Sequence, residues 1–361
     1  MHAAKLIERY EHWCDRSLPH DAAARAEKHR RMAASPFAFL RASYPVWLDR
    51  FGADPAHSAP EVPLGAGDLH VENFGTWLAP DGEAFGVNDY DETGPVPFTN
   101  DLVRLATSAV LAAREGHLGV AAADIAAHLW SGYRANAEPA AGIALAGAVA
   151  GDAAAVAHMW RAGRPGADRF WHAIDALPEV DDAAAGTPPS PGFRLRRTRR
   201  RIAGLGSRDH PRIVLDGELG GARAVYERKP LAPTAAAFTA GADPVVDGGA
   251  YAGLLDRQRA HTPGLRPQVA VDGTVVVRRL DPDRGRIEIA DLPHRRDEHA
   301  LLRTMGWCTA ALHRLSADAG GFAETFSAPA LEEAARRMVA TVSADHEHFR
   351  RHVSRDGTLH A

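Results

Sequence analysis

Residues 67–92 gather side chains suited to a hard cation. The run Gly67-Asp68-Leu69-His70-Val71-Glu72-Asn73-Phe74-Gly75 is followed, after a short apolar stretch, by Asn88-Asp89-Tyr90-Asp91-Glu92. Mg²⁺ takes oxygen ligands, usually one or two carboxylates completed by substrate phosphates and water. Asp81-Gly82 is a hairpin signal, and a strand over 84–88 would carry Asp89 back beside Asn73. Read only as turn and cap formers, these residues would leave unexplained so many carboxylates bordering apolar strands. Farther along, Gly204-Leu205-Gly206-Ser207 is a short loop whose backbone N–H groups can approach phosphates. A strand over 224–229 then ends at Lys229, which shares one face with Glu227 and Val225. Only three of the 42 basic residues are lysines: Lys5, Lys28 and Lys229. A lysine retained in so arginine-rich a chain marks a place where a compact ammonium is required. A helix around 251–259 offers Asp256 as the acid that positions Lys229, with Asp243 and Asp247 close by in sequence.

The elements that must position these groups fall into an α+β order. Residues 3–50 read as helical. Ser35-Pro36 supplies an N-cap and a first-turn proline, and Phe37, Leu40, Tyr44 and Leu48 share a face. Residues 61–91 read as short strands and tight loops. A helix resumes at Asp101, and alanine-rich helices continue to about 162. Residues 181–193 have linker composition. After them the period becomes two: 212–215 and 222–228 read as paired strands, and 268–271 and 274–279 flank Asp272-Gly273, a turn signal. Residues 286–290 are a further candidate strand, and helices return at 297–318 and 329–352. This predicts a helical lobe over 1–180 carrying the catalytic and metal loops. A β-rich nucleotide-clamping lobe follows over 194–296, and C-terminal helices over 297–361 pack on the helical lobe.

Gly-Asp-Leu-His-x-x-Asn, a strand ending in an Asp, and Asp101-Leu102 opening a helix resemble the aminoglycoside-phosphotransferase branch of the protein-kinase-like fold. The resemblance implies Asp68 as the base for an acceptor hydroxyl and Asn73 and Asp89 as Mg²⁺ ligands beneath ATP, with Asp89 the main one. It implies Asp101 as a structural residue and His70 as a brace of the loop, although a ligand or proton-shuttle role for His70 also fits. Residues 35–41, 67–75 and 88–93 are also similar to an uncharacterised bacterial family, the domain of unknown function 2252 family, which implies a fold but no substrate. In the kinase-like order the ATP-clamping parts precede the catalytic Asp, yet only 67 residues lie before Asp68 and they read as helical. The loop at Gly204, Gly206 and Ser207, with Lys229 and Asp256, supplies those parts downstream. The expectation is therefore a two-lobed, permuted kinase-like fold, acting as a Mg·ATP-dependent phosphotransferase on a hydroxyl of a small-molecule acceptor. The alanine-rich helices at 101–162 would line the acceptor pocket. A nucleotide-binding regulatory module without transfer and a nucleotidyl transferase are the alternatives. A two-metal phosphoesterase fits less well, for want of an upstream Asp-x-His pair and a later His cluster.

Composition narrows the classes. With 45% hydrophobic and 24% charged residues and a net charge of −4 over 361 residues, the chain is of average globular make-up and has no overall basic field for nucleic acid. Cys14 and Cys308 are the only cysteines, too few for a disulfide framework or a cysteine zinc site, and read as packed thiols. The charged N-terminus lacks a signal-peptide core, and 140–157 is a poor membrane span, so a cytoplasmic protein is expected. Residues 194–201 hold six arginines, read as a solvated face or a site for a phosphate-rich partner. His346, His348 and His352 lie on the last helix, read as exposed and without a third metal ligand. Arg41 and Arg104 are near enough in the chain to pair with the site's carboxylates. No Ser-His-Asp or Cys-His set stands out.

Overall fold

The first fifty residues do fold as helices, but the apolar face through Phe37, Leu40, Tyr44 and Leu48 belongs to two of them. α1 (Ala3–Cys14) and α2 (Ala22–Ala34) are followed by α3 (Pro36–Leu40), whose N-cap Ser35 Oγ accepts from the Ala38 N–H at 3.2 Å, and by α4 (Tyr44–Phe51). Pro45 sits in the first turn of α4, where its missing N–H costs nothing, and starts a new helix instead of continuing the old one. The computed structural model describes residues 1–79, 82–137, 152, 156, 159, 163, 166–261, 269–282, 288–292 and 297–360.

Two small ladders follow. β1 (Glu61–Gly65) pairs with β4 (Gly94–Pro97), and between them β2 (Phe74–Ala79) pairs with β3 (Gly82–Val87) as an antiparallel hairpin with Phe74 opposite Val87. Asp81 of the expected turn lies outside the described residues. α5 (Phe98–Arg114) begins three residues ahead of Asp101 and is buried from Phe98 through Ala112. α6 (Ala122–Ala137) continues the helical part. The rest of the alanine-rich stretch, to 162, falls outside the described residues except for single positions.

After α7 (Ala167–Asp175) the chain builds a six-stranded antiparallel sheet in the order β5-β6-β7-β8-β10-β9: β5 (Glu179–Val180), β6 (Arg194–Arg201), β7 (Arg212–Leu219), β8 (Ala222–Pro230), β9 (Val269–Asp272) and β10 (Val275–Leu280). Gly220 and Gly221 join β7 to β8 with φ of +62° and +81°, the positive-φ pair that a two-residue hairpin turn needs. α8 (Ala235–Thr239) and α9 (Gly249–His261) lie between β8 and β9. The period-two pattern gives the sheet two apolar faces. Val214 and Val225 pack with Ile174 of α7, while Leu215, Ala224, Tyr226 and Val277 pack with Phe193.

Two expectations need correction here. The arginine run is strand β6, solvated only in part: residues 194–197 are exposed, whereas Arg199 is buried and donates to the carbonyls of Asp175 and Leu177. Among the described residues of the expected strand at 286–290, none is in a strand. The described part, 288–292, makes a 3-10 turn over Ile289–Asp291, and 283–287 lie outside the described residues.

The chain ends in α10 (Glu298–His313), α11 (Ala319–Thr325) and α12 (Ala328–His352). α12 is a core element and not an exposed one. It buries Leu331, Ala335, Met338, Val342 and Phe349 against α5, α6 and the N-terminal helices, and His346 is buried with it. No helix among the described residues is long and apolar enough to cross a membrane. α6 and α10 touch backbone to backbone. A Cβ on Gly132 would lie 1.8 Å from the Arg303 carbonyl oxygen, and one on Gly306 would lie 1.9 Å from that of Leu129. Gly306→Ala should therefore force the helices apart and destabilise the fold by at least about 1–3 kcal/mol. Gly253→Ala in α9, where nothing lies within 4 Å, should be neutral or stabilise by up to about 1 kcal/mol. Urea denaturation midpoints of the two variants test this, and equal midpoints would refute the close crossing.

Candidate functional site

One face of α5 holds the Asp68 loop. Positions 101, 104 and 108 are three and four residues apart, so their side chains emerge together. Asp101 accepts from the Ala66 N–H at 2.7 Å and the Gly67 N–H at 2.9 Å, Ser108 Oγ accepts from the Val71 N–H at 3.0 Å, and Arg104 reaches Asp68. Asp101 is completely buried, and its carboxylate also meets His313 Nε2 at 3.1 Å. It is the structural residue expected. Gly67 has φ +76°, and a Cβ there would stand 2.4 Å from the Glu92 carbonyl oxygen, so only glycine lets the two loops come this close.

Asp68 is gripped from below. Arg104, fully buried, donates through Nε to Asp68 Oδ1 at 2.8 Å and again through Nη2, while its guanidinium stacks on Tyr44 and Trp47. Burial pushes the Asp68 carboxyl up, Arg104 pulls it down, and the charges of Asp89 and Asp91 push it up again, leaving it at about 6. His70 Nδ1 accepts from the Glu72 N–H at 3.2 Å, so the ring braces its own loop while also lining the cavity. Asn73 Nδ2 donates to the Asp68 carbonyl at 2.6 Å, which reserves its Oδ1 as the atom suited to a cation. Arg41 pairs with Glu72.

The hairpin does return Asp89 to Asn73: the Asn88 N–H donates to the Asn73 carbonyl at 2.9 Å. The 88–92 loop is then clasped by the second half of the chain. Arg278 donates to the Asn88 carbonyl at 2.9 Å, Gln258 to the Tyr90 hydroxyl at 2.6 Å, and the Ala235 N–H to Glu92 at 2.8 Å. Lys229 arrives from β8. Its Nζ lies 3.3 Å from Asp89 Oδ1 and also pairs with Asp91. Asp91, not Asp256, is the second acid on this lysine. Asp256 is exposed on α9 and pairs with Arg259 one turn away at 2.8 Å, because the face of α9 turned inward carries Tyr251, Leu254, Leu255 and Gln258. Asp91 stood in the quoted cluster, but nothing local distinguished it from its neighbours.

Two carboxylates share one ammonium here, and burial together with Asp89 raises the Asp91 carboxyl in spite of Lys229. Asp91 Oδ1 is buried without a hydrogen-bond partner among the described residues. Glu92, pushed well up by burial and by Asp68 and Asp91, adds to the acidic side. An undercompensated oxygen-donor set of this kind fits a hard cation. Among the described residues no three or more His, Cys, Asp or Glu side chains form a metal-binding group. The C-terminal histidines make no such group: His348 stacks between His2 and His352, and His346 binds the Ala33 carbonyl.

The glycine loop joins the site from the other side. Gly204 has φ +77°, Gly206 abuts the Arg41 backbone, and Ser207 Oγ accepts from Arg212 at 3.1 Å. Gly204, Gly206, Ser207 and Lys229 line one cavity with Asp68, His70, Asn73 and Asp89. A neighbouring cavity of about 800 Å³ shares Asp89, Gly204 and Lys229 with it. Lys28 also lines the first cavity. It is buried and bonded to Glu11 at 3.0 Å and Asp209 at 3.2 Å. Lysine scarcity marked Lys28 as much as Lys229, but one of its acids, Asp209, lies 181 residues away, and only the fold reveals it. Burial pushes the Cys14 thiol up to about 12, so it is a packed thiol as expected.

Burial would raise Glu11, but Lys28 and His29 outweigh it and hold the carboxyl at about 2. The folded value is depressed, so Glu11 contributes stability above the ordinary carboxylate range of about 4.3, and that stability is lost as pH falls toward 2. Glu11→Gln should flatten part of the loss of unfolding free energy between about pH 4.5 and 2, read by urea denaturation at each pH. An unchanged slope would show that Glu11 is not held this way.

Residues 20–156, which contain the Asp68 and Asp89 loops and all of α5, match the family model described as "Uncharacterized protein conserved in bacteria (DUF2252)". No curated protein and no solved structure matches the chain. The segment bearing the carboxylates of the site is thus similar to a bacterial family, and the β-rich half that brings Lys229 lies outside the match.

Proposed function

We propose that the protein is a Mg·ATP-dependent phosphotransferase acting on a hydroxyl of a small-molecule acceptor, with a kinase-like, two-lobed arrangement in permuted order. The observation that carries this reading is the meeting of Lys229 with Asp89, 140 residues apart in sequence and 3.3 Å apart in space, in a cavity that also contains Asp68 and the glycine loop. Phosphoryl transfer asks a protein chiefly for positioning and charge neutralisation, and these groups match those tasks. The 800 Å³ cavity adds a nucleotide's two chemistries: Phe170, Ile174, Leu177 and Leu280 offer an apolar wall for a base, while Lys229 offers a cation for phosphates.

Asp68 holds the acceptor. Both Arg104 bonds fall on Oδ1, leaving Oδ2 to take the proton of the acceptor hydroxyl. A carboxyl near 6 is close to the working pH, where a general base is most effective. The acceptor oxygen then bonds the γ-phosphorus as the bond to the bridging oxygen breaks and ADP leaves. Asp89, Asn73 and Asp91 would hold Mg²⁺, which neutralises charge on the phosphates. Lys229 and the N–H groups of 204–207 would orient the triphosphate.

Millimolar Mg·ATP should raise the melting temperature, since a ligand at 100 times its Kd stabilises by about 2.7 kcal/mol. Lys229→Met and Asp89→Asn should abolish the shift. Asp68→Asn should keep it yet lose ADP release when hydroxyl-bearing metabolites are screened. No shift in folded wild-type protein overturns the reading, and a shift without turnover in any screen favours a binding module.

A further inference from the structure

Of the cations that line the 800 Å³ cavity, all but Arg208 and Arg279 pair with another described residue. Arg201 and Arg212 are bound to Glu227 at 2.6 and 2.8 Å, Lys229 to Asp89 and Asp91, Arg41 to Glu72, and Arg278 to the Asn88 carbonyl. Arg208 is different. It follows the glycine loop directly, lines the cavity beside Arg31 of α2, and has a buried Nε with no hydrogen-bond partner among the described residues. Its strongest charged neighbour is another cation: burial and then Arg31 push the Arg208 guanidinium down, with Glu27 only partly offsetting them. Arg31 is itself held by Glu27 at 2.8 Å. Two arginines lining one space are an arrangement that an oxyanion completes with charge-assisted, forked hydrogen bonds. Ala34 and Ala38 form the adjoining wall and leave room for it.

We propose that Arg208, with Arg31, forms an anion subsite that receives a phosphate or carboxylate group of the acceptor. This rests on the phosphotransferase reading for the word acceptor, but the anion site itself does not. The triphosphate of the nucleotide is already matched by Lys229, the carboxylate-held cation and the glycine loop. The extra positive charge beside α2 therefore serves a second ligand, and the acceptor class becomes a hydroxyl compound that also carries an anionic group.

Inorganic phosphate is the probe, read by thermal shift and titration calorimetry on the full chain at fixed ionic strength, with and without saturating Mg·ADP. Phosphate should bind the wild type equally in both conditions. Arg208→Gln should raise its Kd about tenfold or more, the loss expected for a charged hydrogen-bonded pair, and Arg208→Lys should fall between. The Mg·ATP shift should remain within twofold of wild type in both variants. Phosphate affinity that survives in Arg208→Gln, or no phosphate binding above the chloride control, overturns the subsite. If Arg208→Gln weakens Mg·ATP as much as phosphate, or Mg·ADP displaces phosphate, the anion belongs to the nucleotide and the acceptor assignment fails. A wild type that binds phosphate but shows no Mg·ATP shift would sink the phosphotransferase reading while leaving the anion site standing.

Discussion

Lys229 is buried at the end of a central strand and shares its charge between Asp89 and Asp91. An ammonium taken out of water is costly unless acids surround it, and removing one partner of a buried pair commonly costs about 3–5 kcal/mol. The sheet is thereby held against the 88–92 loop, which offers the lysine both carboxylates. The neighbouring contacts from Arg278, Gln258 and the Ala235 N–H all clasp that same loop. The loop cannot shift without disturbing the sheet, nor can the sheet shift without stranding the lysine.

The other wall of the site is held by α5. Its buried polar residues 101, 104 and 108 spend their hydrogen bonds on the Asp68 loop, and Arg104 in turn lies on two aromatic rings. A loop fixed through its own N–H groups keeps Asp68 in one place without using the carboxylate's second oxygen. Burial, and then the neighbouring carboxylates, push the Asp68, Asp91 and Glu92 carboxyls up. Such stored repulsion is what a divalent ion would relieve.

Arginine and lysine divide the work by shape. Forked pairs such as Arg337 with Asp54 and Arg50 with Asp345 fasten helices together, each through two parallel hydrogen bonds. Lys28 and Lys229, the two buried lysines, each stand between two acids: Glu11 and Asp209 reach Lys28 from different parts of the chain, and Asp89 and Asp91 reach Lys229 from one loop. A point charge on a flexible stem can serve acids at any angle, whereas a planar fork cannot.

Much of this was legible locally. The Ser35 cap, the hairpin that returns Asp89 to Asn73, the pairing of β7 with β8, and the alternation of Val225, Glu227 and Lys229 all depend on contacts close in sequence or on period. Asp101 could be recognised as structural, and Lys229 by its rarity. The break after Leu40, the strand made by the arginine run, and the burial of the last helix could not be read, because each is decided by what packs against it. Glu179 and Val180 could not announce that they would cover the edge of β6. Asp256 failed for the same reason: a helix position says which residues share a face, but not which face turns inward. Asp91, Glu11 and Asp209 became partners of the two buried lysines only when the chain closed. Sequence periodicity sets local geometry, whereas the pairing of charges across a hundred residues or more is chosen by whichever arrangement leaves the fewest of them buried alone.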